Sequence, residues 1–176
     1  IDLPLEERRE QTHLVLREVE RLDRLFQNLL DMARLDAGTV PTEPRLVHPS
    51  EIIEAARAQV AQTLRRHALD ITLDADDPVR VDPRLTASAL ARLLENAAQY
   101  SPEGSHITLT GAGRDGALTL SVQDEGPGLS ATDLPHVFER VRRGAGGHAR
   151  PSGTGMGLWI ARNMLAAERG EIWAEQ

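Results

Sequence analysis

Three short stretches carry residue types whose spacing could do chemistry. In the first, Arg92, Asn96 and Gln99 recur at four- and three-residue steps on one helical face, with Tyr100 at its edge. An Asn placed there is either a satisfied structural amide or a ligand for a metal or a phosphate. The second is Asp124-Glu125-Gly126-Pro127-Gly128-Leu129. Glycines let a backbone approach a flat ligand, and a carboxylate accepts the exocyclic amino hydrogens of a purine; a plain Asp-Gly turn would use the same letters. The third is Gly153-Thr154-Gly155-Met156-Gly157-Leu158, opening a helix whose first N–H groups and dipole suit a phosphate. It lacks the Lys-Ser/Thr pair of a Walker loop and the strand and spacing of a Rossmann fingerprint. Between the second and third stretches lies RRGAGGHARPSG, Arg142 to Gly153, which reads as a mobile lid bearing Arg142, Arg143, His148 and Arg150.

The elements that must position these stretches follow from pattern. Asp82-Pro83 is a helix start, with the carboxylate as N-cap and proline at N1, and the helix runs to about Tyr100, where Ser101-Pro102-Glu103-Gly104 stops it. Its apolar stripe is Ala89, Leu90, Leu93, Leu94 and Ala97. Ile107 to Gly111 and Ala117 to Gln123 form a hairpin about a turn at Arg114-Asp115-Gly116. A helix is expected from a Ser50 cap to about His67, strands over Leu69 to Leu73 and Val79 to Val81, and a helical patch over Asp133 to Val141. A last helix over Leu158 to Arg169 should lead into a strand at Glu171 to Glu175. One more strand would naturally pair there, so the chain end reads as a fragment boundary. Strands and helices in this order indicate an α+β fold, a mixed sheet covered by helices.

Residues 1–38 have a different texture. Leu5 to Asp36 holds no Gly or Pro and ends near Gly38, a helix C-cap. Val15, Val19, Leu22, Phe26, Leu29 and Ala33 form a seam at alternating four- and three-residue steps, and a second stripe adds Leu25 and Met32. So wide an apolar face suits a four-helix bundle, although an ordinary helix packed on its own domain would use it too. Residues 39–49, with three prolines, read as a linker that includes a short strand.

Composition narrows the function classes. The chain has 176 residues, 40% hydrophobic and 27% charged, the balance of a globular domain with a small appendage. No apolar run approaches the roughly 20 residues of a membrane-spanning helix. The absence of cysteine excludes disulfides, thiolate metal sites and a cysteine nucleophile. A net charge of −7 argues against broad nucleic-acid binding. All 20 basic residues are arginine, so any lysine-dependent site must be missing or replaced. His48, His67, His106, His136 and His148 show no metal-ligand spacing, and His13 in QTHLVLRE reads as a surface or packing residue.

The order LLENAAQYSP, DEGPGL, PHVFER, lid, GTGMGL resembles the catalytic ATP-binding domain of bacterial sensor histidine kinases, over Pro49 to Gln176. RLDRLFQNLLDMARLDAG resembles the second helix of that family's dimerisation and histidine-phosphotransfer hairpin, and with the closing GEIWAE it looks most like the KdpD potassium-sensor group. The resemblance implies a Bergerat-type α/β sandwich preceded by a long dimerisation helix: residues 1–38 the partial hairpin, 39–49 the linker, and 50–176 the catalytic domain without its last strand. It implies ATP and Mg²⁺ as cofactors. Asn96 would hold Mg²⁺ between the phosphates. Asp124 would accept from the adenine amino group, with Gly126 and Gly128 shaping the wall and Tyr100 lining the pocket near the nucleoside. Gly153, Thr154, Gly155, Gly157 and Leu158 would bring the lid and helix start to the phosphates. Phe138 would anchor the lid, and Arg140 would serve the γ-phosphate.

The chain departs from that family's pattern at two positions on the helix from Asp82-Pro83 to Tyr100. Arg92 stands where the family usually has a second Asn, and Gln99 where it usually has a phosphate-contacting Lys. Arg92 would either neutralise phosphate in that lysine's place or repel Mg²⁺. The family's phospho-accepting histidine, carried on the first hairpin helix, has no counterpart here. The implied partners are a second copy through the N-terminal helix and a response regulator, with no nucleic acid. A membrane would be met only through other parts of a membrane-bound sensor whose cytoplasmic portion this is. The alternatives are a serine kinase of the same superfamily and a nucleotide-binding or dimerisation module without kinase activity.

Overall fold

A computed structural model describes residues 5–36, 40–139 and 155–176. The mixed α+β architecture is as expected. Helix α1 (Leu5–Asp36) is followed by strand β1 (Arg45–Val47), helices α2 (Pro49–Gln59) and α3 (Ala61–Leu64), and strands β2 (Ala68–Asp76) and β3 (Val79–Val81). Helix α4 (Pro83–Tyr100), the hairpin β4 (His106–Arg114) and β5 (Ala117–Asp124), and helix α5 (Gly157–Ala167) complete it. The main sheet has the order β2-β4-β5, with β2 parallel to β4 and β4 antiparallel to β5; β1 and β3 pair separately.

β4 shows why one face of this sheet is covered. Ile107, Leu109, Gly111 and Gly113 alternate inward and are buried. Ile107 and Leu109 meet Ile52, Ile53 and Ala56 of α2 and Leu90, Leu94 and Ala97 of α4 in one core. The hairpin turns on Asp115 and Gly116, both at positive φ (52° and 76°), the two-residue geometry that matches strand twist.

α4 is buried on two sides. Leu90, Leu94 and Ala97 face the sheet and α2. Ala89 and Leu93 face a second core made by Met156, Ile160, Ala161 and Met164 with Leu25, Met32 and Leu35 of α1. The two stripes of α1 therefore part company. The stripe with Leu25 and Met32 docks inward, whereas Val15, Val19, Leu22, Phe26 and Leu29 are each more than half exposed.

Several expectations are corrected. The cap of α2 is His48, with Pro49 at N1; Ser50 lies in the first turn and donates to Asp76 Oδ2 at 2.7 Å. The helix breaks at Val60 (φ −111°, ψ 13°), giving α2 and α3 in place of one helix. β2 runs past Leu73 because a bulge before Ala75 lets it regain pairing with β4. The patch after Asp133 is a single 3₁₀ turn, Leu134–His136, with Pro135 inside it. Residues 171–175 are not a strand, because no strand among the described residues offers them a ladder. Gly38 lies outside the described residues.

Candidate functional site

The site begins where α4 ends. Asp82 caps the helix as expected, its Oδ1 accepting from the N–H groups of Arg84 (3.0 Å) and Leu85 (3.4 Å). Such a cap contributes about 1 kcal/mol. Fully buried, Asp82 also takes the Glu43 N–H at 2.7 Å and the Arg84 guanidinium at 3.0 Å. Burial pushes its carboxyl up, but these hydrogen bonds outweigh it and hold Asp82 below the usual range. The Asp82 N–H donates in turn to Glu168, just past the end of α5. Thr86 Oγ1 lies 3.0 Å from both Glu168 Oε1 and the Asp82 carbonyl oxygen. The single Thr86 hydroxyl hydrogen is shared between these two acceptors. Burial raises the Glu168 carboxyl above the usual range. The start of α4 is thus tied to the end of α5, and the far end of α4 is set against β5.

At that far end, Tyr100, Asp124 and Gly126 come together. Gly126 donates its N–H to Asp124 Oδ1 at 2.7 Å. A Cβ at Gly126 would stand 2.6 Å from that oxygen and 3.2 Å from the Tyr100 carbonyl oxygen, so only a glycine lets the end of α4 lie this close to the loop after β5. Asp124 and Tyr100 are exposed, while Asn96 and Gln99 are half-buried along α4. Gly128 adopts φ 71°, the left-handed region, against the side chain of Gln176.

α5 opens as the glycine pattern predicts. Gly155 is at φ 69°, Met156 is the N-cap and supplies no side-chain oxygen, and Gly157 begins the helix with open space where a Cβ would be. Leu158 is half-buried. Phe138 lies with Trp159, Arg162, Asn163 and Ala166 around an open hollow of about 450 Å³ on α5. Arg92 is engaged elsewhere: its Nη2 donates to Asp31 Oδ2 of α1 at 2.8 Å, and both side chains are largely buried. Arg140, Gly153, Thr154 and the Arg142–Gly153 lid lie outside the described residues.

Residues 81–176 match the family model of histidine kinase-, DNA gyrase B- and HSP90-like ATPases. The chain belongs to this ATPase family. Its relatives are sensor kinases. It is 34% identical to the signal transduction histidine-protein kinase AfsQ2 of Streptomyces coelicolor, over 92% of this chain and 29% of that protein. It is 28% identical to the sensor protein KdpD of Clostridium acetobutylicum, over 97% of this chain and 19% of that protein. The chain therefore spans less than a third of the length of these curated relatives. The histidine kinase ThkA, solved with the response regulator TrrA, superposes with a TM-score of 0.74 at 19% identity, over 100% of this chain and 49% of that one. That likeness shows the fold, and with the family match it makes this a histidine-kinase-type ATPase domain carrying an additional helix.

The sequence missed what lies far apart in the chain: Asp31 as partner of Arg92, and Glu168 as partner of Asp82 and Thr86. No local spacing announces either pair. Of the five described histidines, His48 caps a helix, His67 lies 3.4 Å from the Ser105 hydroxyl, His106 pairs with Asp70 and His136 with Glu139, while His13 is exposed on α1. No helix of the described residues is long and apolar enough to cross a membrane.

Proposed function

We propose that residues 50–176 bind Mg²⁺-ATP and transfer its γ-phosphoryl group to a histidine carried on another helix of the parent sensor, for relay to a response regulator. The observation that carries the nucleotide reading is the junction of Tyr100, Asp124 and Gly126, where a close-approach glycine fixes a carboxylate beside the end of α4. Asp124 Oδ1 is held by the Gly126 N–H, and Oδ2 would accept from the adenine amino group. Gly126 and Gly128 keep the wall open to the base, and Tyr100 lies against the nucleoside.

The one protein donor the reading needs is the amide oxygen of Asn96, half-buried on α4, a hard neutral oxygen of the kind Mg²⁺ takes beside phosphates and water. Bound there, Mg²⁺ supplies charge neutralisation across the phosphates, and Asn96 would hold it through its side-chain oxygen. The start of α5, whose N-cap residue Met156 makes no side-chain cap hydrogen bond, would offer its first N–H groups to phosphate oxygens. In the transfer, a histidine ring nitrogen forms the bond to the γ-phosphorus as the bond to the β–γ bridging oxygen breaks and ADP leaves. The chain's contribution is positioning and electrostatics.

α1 fits the second hairpin helix, with residues 39–49 as linker. Its exposed seam at Val15, Val19, Leu22, Phe26 and Leu29 is the surface for a second copy in a bundle. The parent is a sensor whose cytoplasmic portion includes this chain, and potassium or osmotic sensing is the stimulus favoured by the wording of α1. A second reading, a nucleotide-binding or dimerisation module without kinase activity, is favoured by the pairing of Arg92 with Asp31. The separating experiment incubates the chain with γ-labelled ATP and a peptide of the parent's histidine-bearing helix. Acid-labile label on the peptide supports the kinase; ATP binding without transfer supports the module.

A further inference from the structure

We infer that Arg92 couples the nucleotide site to α1 by serving two partners in turn: Asp31 while α1 lies on the domain, and the nucleotide's phosphates when α1 lifts. The inference rests on the nucleotide reading given above. ATP binding and α1 docking would then compete for one guanidinium.

The geometry places Arg92 at the border of the two. Its Nη2 donates to Asp31 Oδ2 at 2.8 Å and its Nη1 lies 3.7 Å from Glu95, so in the docked arrangement it sits between carboxylates of α1 and α4. Its side chain is 17% exposed and that of Asp31 19%, which shields the pair from water and salt. Asn96 lies one turn further along the same face, about 6 Å along the axis, well within the swing of an arginine side chain. A guanidinium matches a carboxylate and a phosphate with the same planar fork, so the two are direct competitors.

A second contact reaches the other wall. Met32, the neighbour of Asp31, is 6% exposed and packs in one core with Met156, at the start of α5, and with Ile160. α1 therefore touches both elements that flank the phosphates, one through an ion pair and one through a thioether. Only one stripe of α1 is used, and its other apolar seam faces outward. Such a shallow attachment opens more readily than the core beneath it. Because linkage is reciprocal, whatever ATP takes from α1 docking, α1 docking takes from ATP affinity.

The test is Mg²⁺-ATP calorimetry on the wild type, Asp31→Asn, Arg92→Asn and the double variant. Asp31→Asn keeps the side-chain size and removes the competing charge. The expected result is tightening of about three- to tenfold in Asp31→Asn. Arg92→Asn should weaken binding, and adding Asp31→Asn to it should change nothing further. The chain has no cysteine, so spin labels on cysteines introduced at the exposed Gln27 and Thr119 report docking directly. Mg²⁺-ATP should lengthen that distance in the wild type and do so less in Arg92→Asn. An unchanged affinity in Asp31→Asn, with ATP still bound by the wild type, would overturn the coupling and leave the nucleotide site standing. Equal tightening with and without Arg92 would overturn it too. Absence of binding in every variant would remove the nucleotide reading and the coupling together.

Discussion

The backbone N–H of Gly126 donates to Asp124 Oδ1 at 2.7 Å, and any Cβ at Gly126 would intrude to 2.6 Å from the same oxygen. The glycine therefore does two things at once. It fixes one oxygen of an exposed carboxylate through the backbone, and it avoids the clash that a side chain there would make with that oxygen. A Cβ there would also stand 3.2 Å from the Tyr100 carbonyl oxygen, so the loop after β5 lies close against the end of α4.

Replacing Asn96 tests the metal assignment. Asn96→Ala sits in the interior of α4, where alanine is the better helix former, so folding should be preserved. Mg²⁺-ATP affinity is expected to fall about tenfold or more, whereas ATP binding measured in EDTA should change little. Equal affinity of the two proteins for Mg²⁺-ATP would take Asn96 out of the site.

Gly113→Ala tests the packing of the sheet under α2. Its Cβ would lie 2.6 Å from the Asp77 carbonyl oxygen and 2.6 Å from the Pro49 ring, neither of which yields easily. A loss of about 1–3 kcal/mol is expected from such overpacking, read as a lower midpoint in urea with the slope unchanged. A wild-type midpoint would mean that α2 stands further from β4.

The Asp82–Thr86–Glu168 cluster makes stability depend on pH in a stated sense. Burial raises Glu168 above the ordinary range, helped by the charge of Asp82 and only partly offset by the Asp82 N–H and the Thr86 hydroxyl. A raised carboxyl stabilises the fold fully below its unfolded value and loses that contribution as pH rises through the folded one. Asp82 is lowered and acts oppositely: its contribution is present above the ordinary range and lost as pH falls through the folded value. Glu168→Gln stays neutral throughout and can keep both hydrogen bonds. The stability of the wild type relative to this variant should decline as pH rises from the ordinary carboxylate range through the raised Glu168 value. Urea unfolding of both proteins across that range measures it, and parallel curves would contradict the assignment.

Local chemistry explains which parts of the molecule were legible in its sequence. The Asp82-Pro83 start of α4, the Asp115-Gly116 hairpin and the uncapped glycine start of α5 are written in adjacent residues, and the structure has each of them. The double stripe of α1 is visible in the sequence, but not that Leu25 and Met32 turn inward while Val15, Val19, Leu22, Phe26 and Leu29 stay out, because periodicity gives faces and not partners. The break at Val60 carries no proline or glycine to announce it. The bulge that extends β2 depends on register with β4, which sequence does not print. Arg92 shows the limit most clearly. Its helix face was correctly read, yet its partner Asp31 lies 61 residues away on another element.

The central claim is that this chain is a nucleotide site in which Asp124 reads the base. Calorimetric titration of the whole chain with Mg²⁺-ATP, alongside Asp124→Asn and with tripolyphosphate as the second ligand, tests it most directly. The account predicts saturable binding of Mg²⁺-ATP by the wild type, weakened by Asp124→Asn far more for ATP than for tripolyphosphate. No saturation at millimolar ATP, or equal losses for the two ligands, would contradict it.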